Sequence, residues 1–512
     1  MKILLANPSL PQTFWSFDRV VRMLKKRAIQ PPLGLVTLAA LLPQDWEFVL
    51  VDLVVRELTE EDWRGADAVM ITGLVSQCSG IMSLIRQGNE RGVTVVVGGP
   101  WVFHFPEEAL SAGANIVVKG EAEPVIPELI EAVKNRRSGV FLQATEKPDL
   151  RTSPVPRFDL LDLTQYVDMA VQFSRGCPFQ CEFCDVTLML GRKMRSKSPQ
   201  QALKELETLY DLGWRRTVFI ADDNFIGSVS AARALLNELV PWMEAHGQPF
   251  EFNTQASVNL AAHPELIELM VKAGFWKVFL GIETTDEESL QEAGKLQNVA
   301  TNLDDVCRLI GKAGLQIIAG CIIGFDAEKK GAGLRLVKFA ERTKVPEMFV
   351  TLLQAAPGTD MWRRLESEGR LLDTSMNDST GSQTASMNFR TLRPASEIIG
   401  EFVGLHQELY EPAAYMERCF AYFSRMCHAP PKKKDSRIIL SEVVAVLTVI
   451  WRQGLVYPSR WQFWKYFVAA SLKFPLQLRR YFSSLVVAEH YYEYRNTIRV
   501  FLEDKMKRDF RK

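Results

Sequence analysis

The chain has 512 residues, and its 61 basic and 61 acidic side chains leave no formal net charge at pH 7. This balance gives no support for a nucleic-acid partner, because binding to phosphates depends on a basic surface. Hydrophobic residues make up 47% of the chain, enough for several buried cores, and a prior of about 150 residues per domain predicts three domains. The eight cysteines fit a reducing cytosol better than a disulfide framework, and MKILLANPSL shows no secretory signal, so a cytoplasmic location is expected.

Residues 1–137 alternate short apolar runs with stretches of helical length. The runs are ILLAN, FVLVDL, AVMITGL, VTVVVGG and NIVVKG. Continuous runs of Val, Ile and Leu between helices are typical of parallel strands covered on both faces. They predict a doubly wound, Rossmann-like α/β domain, whose ligands bind beyond the carboxyl ends of the strands. The candidate binding residues at these ends are Asp52, Thr72, Leu74, Gly98, Gly99 and Glu121.

Residues 138–169 contain KPDLRTSPVPRFDLLDL, with three prolines and no sustained period, which predicts a linker. From 170 to 371 the alternation of strand and helix resumes. Its apolar runs are VQFSRG, TVFIADD, FEFNTQAS, KVFLGIE, IIAGCIIGFD and MFVTLLQ. Six strand–helix units predict a partial (β/α)6 barrel of the TIM type, with its active groups at the carboxyl ends of the strands.

Residues 372–512 differ in composition, since a polar stretch precedes helix-like segments rich in aromatic and basic residues. We expect a mainly helical domain. No run reaches the ~20 apolar residues that a membrane span needs. Two expectations stay open, and both could hold: a helical cap over the mouth of the barrel, or a peripheral contact with a membrane surface.

Cys177, Cys181 and Cys184 form a C-x3-C-x2-C cluster in SRGCPFQCEFCD. Iron–sulfur cubes normally take four thiolates, so three close thiols fit a cube that leaves one iron open to a small molecule. By spacing alone, a zinc site or a cluster of free thiols is the alternative. The remaining cysteines, Cys78, Cys307, Cys321, Cys419 and Cys427, are expected to be packing residues.

The cysteine spacing, with Phe183 before the third cysteine and the extended run VQF leading in, resembles the radical S-adenosylmethionine (SAM) superfamily. The resemblance implies a [4Fe-4S] cluster whose fourth iron is chelated by SAM. It also implies an electron donor such as flavodoxin or ferredoxin, and cleavage of SAM to a 5'-deoxyadenosyl radical. The three cysteines are then both the metal ligands and the catalytic residues.

Polar residues at the ends of the later predicted strands match the superfamily pattern piece by piece. The resemblance assigns Asp222, Asp223 and Asn224 to the SAM ammonium, Gln255 and Ser257 to the ribose, Glu283 to the ribose or amino acid end, and Ile322 and Gly324 to adenine, with Gln354 closing the set. Arg192 and Arg195 are candidates for a bidentate pair with the SAM carboxylate. Taken singly, these residues could also be turns, helix caps, packing residues or solvated side chains.

The ends of the N-terminal strands resemble a cobalamin-binding domain. Thr72-Gly73-Leu74 and Gly98-Gly99 match two of its three ligand-binding turns, but after Asp52 the position of the cobalt-ligating histidine holds Val54. We therefore expect cobalamin without histidine ligation from this turn. His104 is a candidate substitute ligand, although a lone loop histidine is more often a packing residue. The alternative is a flavodoxin-like scaffold without a ligand.

The order of domains, with PPLGLVTLAALLP, SPVPRFDLL, QFSRGCPFQCEFCD and LQAAPGT, resembles the B12-binding radical SAM group that has a family-specific C-terminal helical domain. That group includes the hopanoid C-2 methylases. The resemblance implies methyl transfer to an unactivated carbon of a small molecule or lipid, with a polycyclic isoprenoid as one acceptor class. A radical SAM oxidase, cyclase or rearrangement enzyme, and a non-catalytic iron–sulfur or corrinoid-binding protein, are the alternatives.

Overall fold

A computed structural model describes residues 1–11, 13–372, 387–427 and 440–509, with side chains described up to residue 502. The N-terminal sheet has six parallel strands in the order β2-β1-β3-β4-β5-β6. They are β1 Lys2–Asn7, β2 Glu47–Asp52, β3 Ala68–Thr72, β4 Thr94–Gly98, β5 Ile116–Lys119 and β6 Val140–Gln143. The helices are α1 Asp18–Met23, α2 Leu33–Leu41, α3 Glu60–Trp63, α4 Cys78–Glu90, α5 Pro100–His104, α6 Pro106–Ser111 and α7 Ile126–Lys134.

Alternate residues of each strand point to opposite faces, so the apolar runs feed two separate cores. Leu4 and Ala6 of β1 belong to one buried cluster, whereas Ile3 and Leu5 belong to the other. Helices cover both clusters, which confirms the doubly wound α/β domain.

The sheet extends beyond residue 137, because β6 lies inside the segment predicted to be a linker. β6 pairs with β5 from Ile116↔Val140 to Lys119↔Gln143. The rest of that segment forms three short 3-10 helices, Leu150–Thr152, Phe158–Leu160 and Leu163–Gln165. Backbone hydrogen bonds from Arg157 to Val36 and from Val167 to Ala28 tie it to the N-terminal domain.

The second sheet is a six-stranded parallel partial barrel in the order β7-β10-β11-β12-β13-β14, as predicted, beside one antiparallel pair, β8-β9, that the sequence did not suggest. The strands are β7 Met169–Val171, β8 Ser174–Arg175, β9 Arg195–Ser196, β10 Thr217–Ile220, β11 Glu251–Ala256, β12 Phe275–Glu283, β13 Gln316–Ile323 and β14 Glu347–Leu352. The helices are α8 Val186–Leu190, α9 Pro199–Asp211, α10 Val229–Ala245, α11 Pro264–Lys272, α12 Glu287–Glu292, α13 Leu296–Val299, α14 Leu303–Lys312, α15 Ala332–Thr343 and α16 Asp360–Ser367.

The described part of the C-terminal region is helical. Its elements are α17 Ala395–Leu409, α18 Pro412–Phe423, α19 Leu440–Trp451, the π-helix Arg452–Val456, α20 Arg460–Lys473 and α21 Leu478–Asp509. Among the described helices, none is long and apolar enough to cross a bilayer.

Two of the C-terminal helices, α18 and α21, pack at the amino ends of the barrel strands, so the expected cap over the barrel mouth is wrong for them. Helix α17 instead lies near the carboxyl end of β13, where Ile398 is close to Gly324. Tyr422 of α18 accepts a hydrogen bond from the Ile317 amide near the start of β13, at 3.1 Å. Arg480 of α21 lies 3.3 Å from Glu251, the first residue of β11. Helical periodicity in the sequence predicts that these helices are amphipathic, but it does not indicate which end of the barrel they contact.

An N-terminal strap, residues 13–17, also packs against the barrel and α21. Phe14 lies with its ring centroid 5.0 Å from that of Phe349 on β14 and 5.4 Å from that of Tyr491 on α21. The backbone oxygen of Phe14 lies 2.9 Å from Nε2 of His490. The strap is therefore held in place by contacts with both the barrel and the C-terminal domain.

Candidate active site

The cysteine cluster occupies a loop between β8 and α8 whose backbone is fixed at several points. The Cys177 amide donates to the Gly191 oxygen at 3.2 Å, and the Cys184 amide donates to the Cys181 oxygen at 3.1 Å. Gly176 precedes the cluster with φ of +100°, and a Cβ there would lie 2.8 Å from the Lys193 oxygen. Only glycine fits this turn without strain.

The three thiols of this loop are free and half-buried, which suits ligands that must reach a cluster from one side. Burial raises the pKa of Cys181 and of Cys184, and the nearby Lys295 cation acts in the opposite direction. Phe183 stacks edge-on against Phe325 with ring centroids 6.0 Å apart, so it shields the cluster loop on the barrel side. The donor set, with three thiols on one loop and the Lys295 cation near them, fits a [4Fe-4S] cluster.

The residues predicted to contact SAM follow the carboxyl ends of β10 to β14, around the same opening as the cysteine loop. Two of them bond to each other, because Oδ1 of Asn224 accepts from the Ser257 amide at 3.3 Å and from the Ser257 hydroxyl at 3.2 Å. Nδ2 of Asn224 is buried and has no partner among the described residues. Gln255, Ile322 and Gln354 are half-buried at neighbouring strand ends.

Asp222 and Asp223 have different surroundings. Asp222 is fully buried and accepts from the amides of Phe173 and Ser174 at 2.8 and 2.9 Å, and from the Ser174 hydroxyl at 2.6 Å. The predicted contact of Asp222 with the SAM ammonium is therefore replaced by contacts within the protein. Asp223 is half-buried on the inner side of the barrel, and burial raises its pKa to about 6.

Glu283 ends β12 in the left-handed region, with φ of +63°, just after an irregularity in the pairing with β13. Its carboxylate forms an ion pair with Lys295, a half-buried residue that sequence reasoning missed. Asn298 supports the same strand end, because its Nδ2 donates to the oxygens of Gly281 and Ile282 at 3.0 and 2.9 Å. No motif in GKLQN pointed to either residue.

Gly324 ends β13 with φ of +113°, a conformation that favours glycine, and its amide donates to Oε2 of Glu328 at 2.9 Å. Arg393 lies 3.4 Å from the same carboxylate, and Oε1 of Glu328 has no partner among the described residues. Burial raises the pKa of Glu328 to about 7. Glu328 was not predicted as a site residue, although it supports the turn assigned to adenine.

The raised pKa of Glu328 predicts that the free energy of unfolding depends on pH. Since the folded pKa is above the ordinary value of 4.5, the wild type loses stability as pH rises from 4.5 through 7. Glu328→Gln keeps an acceptor for the Gly324 amide but does not ionise. We expect the variant to gain about 3 kcal/mol relative to the wild type at about pH 8, and no such gain below pH 4.5. Urea unfolding across this range measures the difference, and a gap that does not change with pH would contradict the assignment.

Two arginines and a glutamate join the N-terminal domain to the barrel. Glu121, which follows β5, lies 2.8 Å from Arg175 and 2.9 Å from Arg195. Arg195, a candidate for the SAM carboxylate, pairs with Glu121 in this arrangement, although its Nε has no partner among the described residues, and its contact with SAM stays a prediction. Glu121 lies between the two domains through these pairs, and its contact with cobalamin also stays a prediction. Arg192 is exposed.

The turns predicted to receive cobalamin lie at the carboxyl edge of the first sheet. Gly99 has φ of +88°, and a Cβ there would lie 2.1 Å from Oγ1 of Thr72, so glycine allows the two turns to meet. A Cβ built on Gly98 would lie in ordinary van der Waals contact with Val118, at 3.6 Å or more. Leu74 is half exposed at this edge. Bare backbone beside an exposed apolar side chain fits a bulky corrinoid.

Asp52 is directed into the protein. It is buried and accepts from Asn7 at 2.9 Å, from the Val54 amide at 3.0 Å and from the Tyr166 hydroxyl at 3.0 Å. Its predicted contact with the corrinoid is therefore replaced by a structural role that ties the linker segment to the first sheet. Burial raises the pKa of Asp52.

His104 forms an interdomain contact, because its Nε2 lies 2.9 Å from Oδ2 of Asp185 in the cluster loop. Nδ1 of the same ring is buried and has no partner among the described residues. Ligation of cobalt by His104 therefore stays a prediction. His104 also lines a cavity of about 360 Å³ between the two carboxyl edges, together with Lys119, Lys147, Leu188 and Gly358. The carboxyl edges of the two sheets thus face each other across a shared space.

Several inward-facing side chains of β11, β12 and β13 are half-buried while their outward-facing neighbours are buried, whereas every residue of β14 is buried. On β12, Phe279 faces inward and is half-buried, whereas Val278 and Leu280 are fully buried on the other side. Phe279, Phe349 and Trp15 of the strap form an aromatic wall in this lumen. Their ring centroids lie 4.7 Å apart for Trp15 and Phe349, 6.4 Å for Trp15 and Phe279, and 6.2 Å for Phe279 and Phe349.

Comparisons with known proteins agree with this arrangement. Residues 19–130 match the B12 binding domain, residues 171–339 match the radical SAM superfamily, and residues 359–503 match a domain of unknown function. An uncharacterized methyltransferase of Synechocystis is 44% identical over 98% of the chain and 93% of its own length. The hopanoid C-2 methylase of Rhodopseudomonas palustris is 30% identical over 91% of the chain and 88% of its own length.

Among solved structures, the radical SAM methyltransferase TsrM of Kitasatospora setae aligns with a TM-score of 0.61 at 16% identity, covering 95% of this chain and 99% of its own. That likeness confirms the fold. Together with the relatives and family models, it defines an enzyme built from a B12-binding domain and a radical SAM barrel. The chain belongs to the cobalamin-dependent radical SAM methyltransferases, whose cofactors are a [4Fe-4S] cluster, SAM and cobalamin.

Proposed function

We propose that this enzyme methylates an unactivated carbon of an apolar, polycyclic isoprenoid lipid of the hopanoid type. When bound, the cluster, SAM and cobalamin supply the electron, the radical and the methyl group. The relationship to the hopanoid C-2 methylase supports the proposal. The aromatic wall carries it, because the exposed Trp15 ring and the half-buried Phe279 ring, packed on the buried Phe349, offer apolar surface to a fused-ring hydrocarbon.

The wall is in line with the strand-end residues assigned to SAM. Phe279 and Gly281 are alternate residues of β12 and share a face. Glu283 lies on the same side despite the irregularity before it, because a Cβ built on Gly281 would lie 2.4 Å from its carboxylate. Glu283 lies at the carboxyl end, and Phe279 lies four residues deeper, which corresponds to roughly 13 Å along a strand. An acceptor stacked on the wall would extend along the inner face toward the open end of the barrel.

In this arrangement each group of residues has a separate task. The thiolates of Cys177, Cys181 and Cys184 would hold the cluster, and Asp223 would accept hydrogen bonds from the SAM ammonium. The turns at Thr72, Leu74, Gly98 and Gly99 would receive the corrinoid, without a protein histidine on cobalt. Flavodoxin or ferredoxin would donate the electron. The aromatic wall would orient the acceptor and exclude water from the lumen.

Trp15→Ala tests the proposal. Removing the ring should raise the KM for a polycyclic lipid acceptor by about tenfold or more, since burying a large aromatic side chain contributes about 1.5–3 kcal/mol. Trp15→Phe should recover most of the loss. The measurement is methylated product by mass spectrometry at several acceptor concentrations, with iron and cobalt content compared between variants to show equal cofactor loading.

Phe141→Ala is the matched control, since Phe141 is an exposed ring on β6, in the N-terminal sheet. Its KM should equal that of the wild type. If Trp15→Ala also left the KM unchanged, the acceptor would not bind at the aromatic wall. If loaded wild-type enzyme cleaved SAM but methylated no polycyclic lipid, the proposed substrate class would be wrong, and an oxidase, cyclase or rearrangement activity would become the better explanation.

A further inference from the structure

The C-terminal domain has an outward apolar face formed by α19, the π-helix after it and α20. Its main residues are Leu447, Trp451, Leu455, Trp461, Val468 and Leu472, which are between 53% and 81% exposed. The first three recur every four residues along one side of α19 and the π-helix, and the last three share one side of α20. Trp464 donates to the Gly454 oxygen at 2.9 Å, so the two elements are packed together.

The charged residues in the segment that forms this face are all basic. Residues 443–488 contain six basic side chains and no aspartate or glutamate, in a chain that is neutral overall. Three of the six pair with carboxylates outside the stretch. The other three, Arg460, Lys465 and Lys473, are exposed and lie over aromatic rings at 5.9, 5.1 and 5.8 Å. Among the described residues they have no carboxylate partner, so their charge is available to anions.

We propose that this face, named here the basic–aromatic face, binds the surface of an anionic lipid bilayer. Tryptophan, leucine and lysine side chains mixed on one surface suit the boundary between headgroups and acyl chains. Juxtamembrane cations are attracted to anionic lipids by about 1 kcal/mol each. A second copy of the chain fits poorly, because pairing the same face about a twofold axis would bring like charges together. The inference goes beyond the proposed function and does not depend on its acceptor.

Vesicle co-sedimentation of the full-length holoprotein tests this surface without any turnover. Phosphatidylcholine vesicles should bind weakly, and vesicles containing phosphatidylglycerol should bind at least about tenfold more strongly, with the difference lost at high salt. Trp461→Ser with Leu472→Ser should lower binding about tenfold or more. Lys465→Glu with Lys473→Glu should remove the preference for anionic vesicles. Leu392→Ser is the matched control, since Leu392 is equally exposed at 69% but lies outside this face.

Three outcomes would overturn the assignment. Equal binding to neutral and anionic vesicles would show that Arg460, Lys465 and Lys473 do not contribute to binding. Equal loss in Leu392→Ser and in the double serine variant would show that general surface hydrophobicity causes the binding. Concentration-dependent dimers in light scattering, abolished by the double serine variant, would show that the face binds a second copy instead. The charge and apolar variants change exposed side chains, and equal thermal unfolding of variant and wild type would show that misfolding does not account for a loss.

Discussion

Cys181→Ala should abolish SAM cleavage while leaving cobalamin binding intact. The three thiols of the loop bind one cube of about four irons, and removal of one ligand leaves two, too few to hold it. We expect iron, sulfide and the visible absorbance of the cluster to fall to background after anaerobic reconstitution. 5'-Deoxyadenosine should fall to background with them. Cobalt content should stay near one per chain, because the turns at Thr72 and Gly99 belong to the other sheet.

Cys427→Ala is the matched control, since Cys427 is an exposed thiol at the end of the α18 region and far along the chain from the cluster. Its iron content and deoxyadenosine yield should equal those of the wild type. A Cys181→Ala enzyme that kept a full cluster and cleaved SAM would exclude this thiol as a ligand. A wild-type enzyme with about four irons but no cobalt would instead contradict the assignment of cobalamin to the N-terminal turns. This result does not depend on the outcome for Cys181→Ala.

The fold could be predicted from the sequence because most of its strands are continuous runs of apolar residues. Both parallel sheets and the six barrel strands follow from such runs, and β6 was missed because VFLQ is a short edge strand with half-exposed side chains. The cysteine loop could also be placed, because its spacing is local. The strand ends fix where polar side chains lie, and two of the predicted residues, Asn224 and Ser257, are hydrogen-bonded to each other.

The partners of those side chains could not be predicted. Asp222 and Asp223 are neighbours in sequence, yet one binds backbone amides and the other remains on the inner face. Arg195 and Glu121 are 74 residues apart, and their pairing depends on how two domains meet. The sequence did not indicate that Trp15 belongs to the site, since a single tryptophan in an irregular segment is part of no periodic pattern or motif. Its position follows from the packing of Phe14 against β14 and α21.

Lys277→Met should destabilise the protein more than any surface substitution of the same type. Glu347 is buried at the start of β14 and lies 2.7 Å from Lys277. It also accepts from Gln316 at 2.5 Å and from the Tyr491 hydroxyl of α21 at 3.1 Å. Removing the lysine leaves a buried carboxylate without a counter-charge, which costs about 3–5 kcal/mol. Because Tyr491 belongs to the C-terminal domain, the loss should appear as early unfolding of that domain in the near-ultraviolet circular dichroism.

Lys277→Met with Glu347→Gln should recover part of this loss, because the glutamine still accepts a hydrogen bond and carries no charge. Lys272→Met is the matched control, since Lys272 forms an exposed pair with Glu268 on α11, and it should cost at most about 0.5 kcal/mol. Thermal unfolding of the four proteins under the same anaerobic conditions separates the cases. If the double variant were no more stable than Lys277→Met, the cost would come from lost packing of the lysine stem rather than from the unpaired charge. Side-chain packing, rather than the ion pair of Lys277 and Glu347, would then stabilise the contact between the amino ends of the barrel strands and the C-terminal helices.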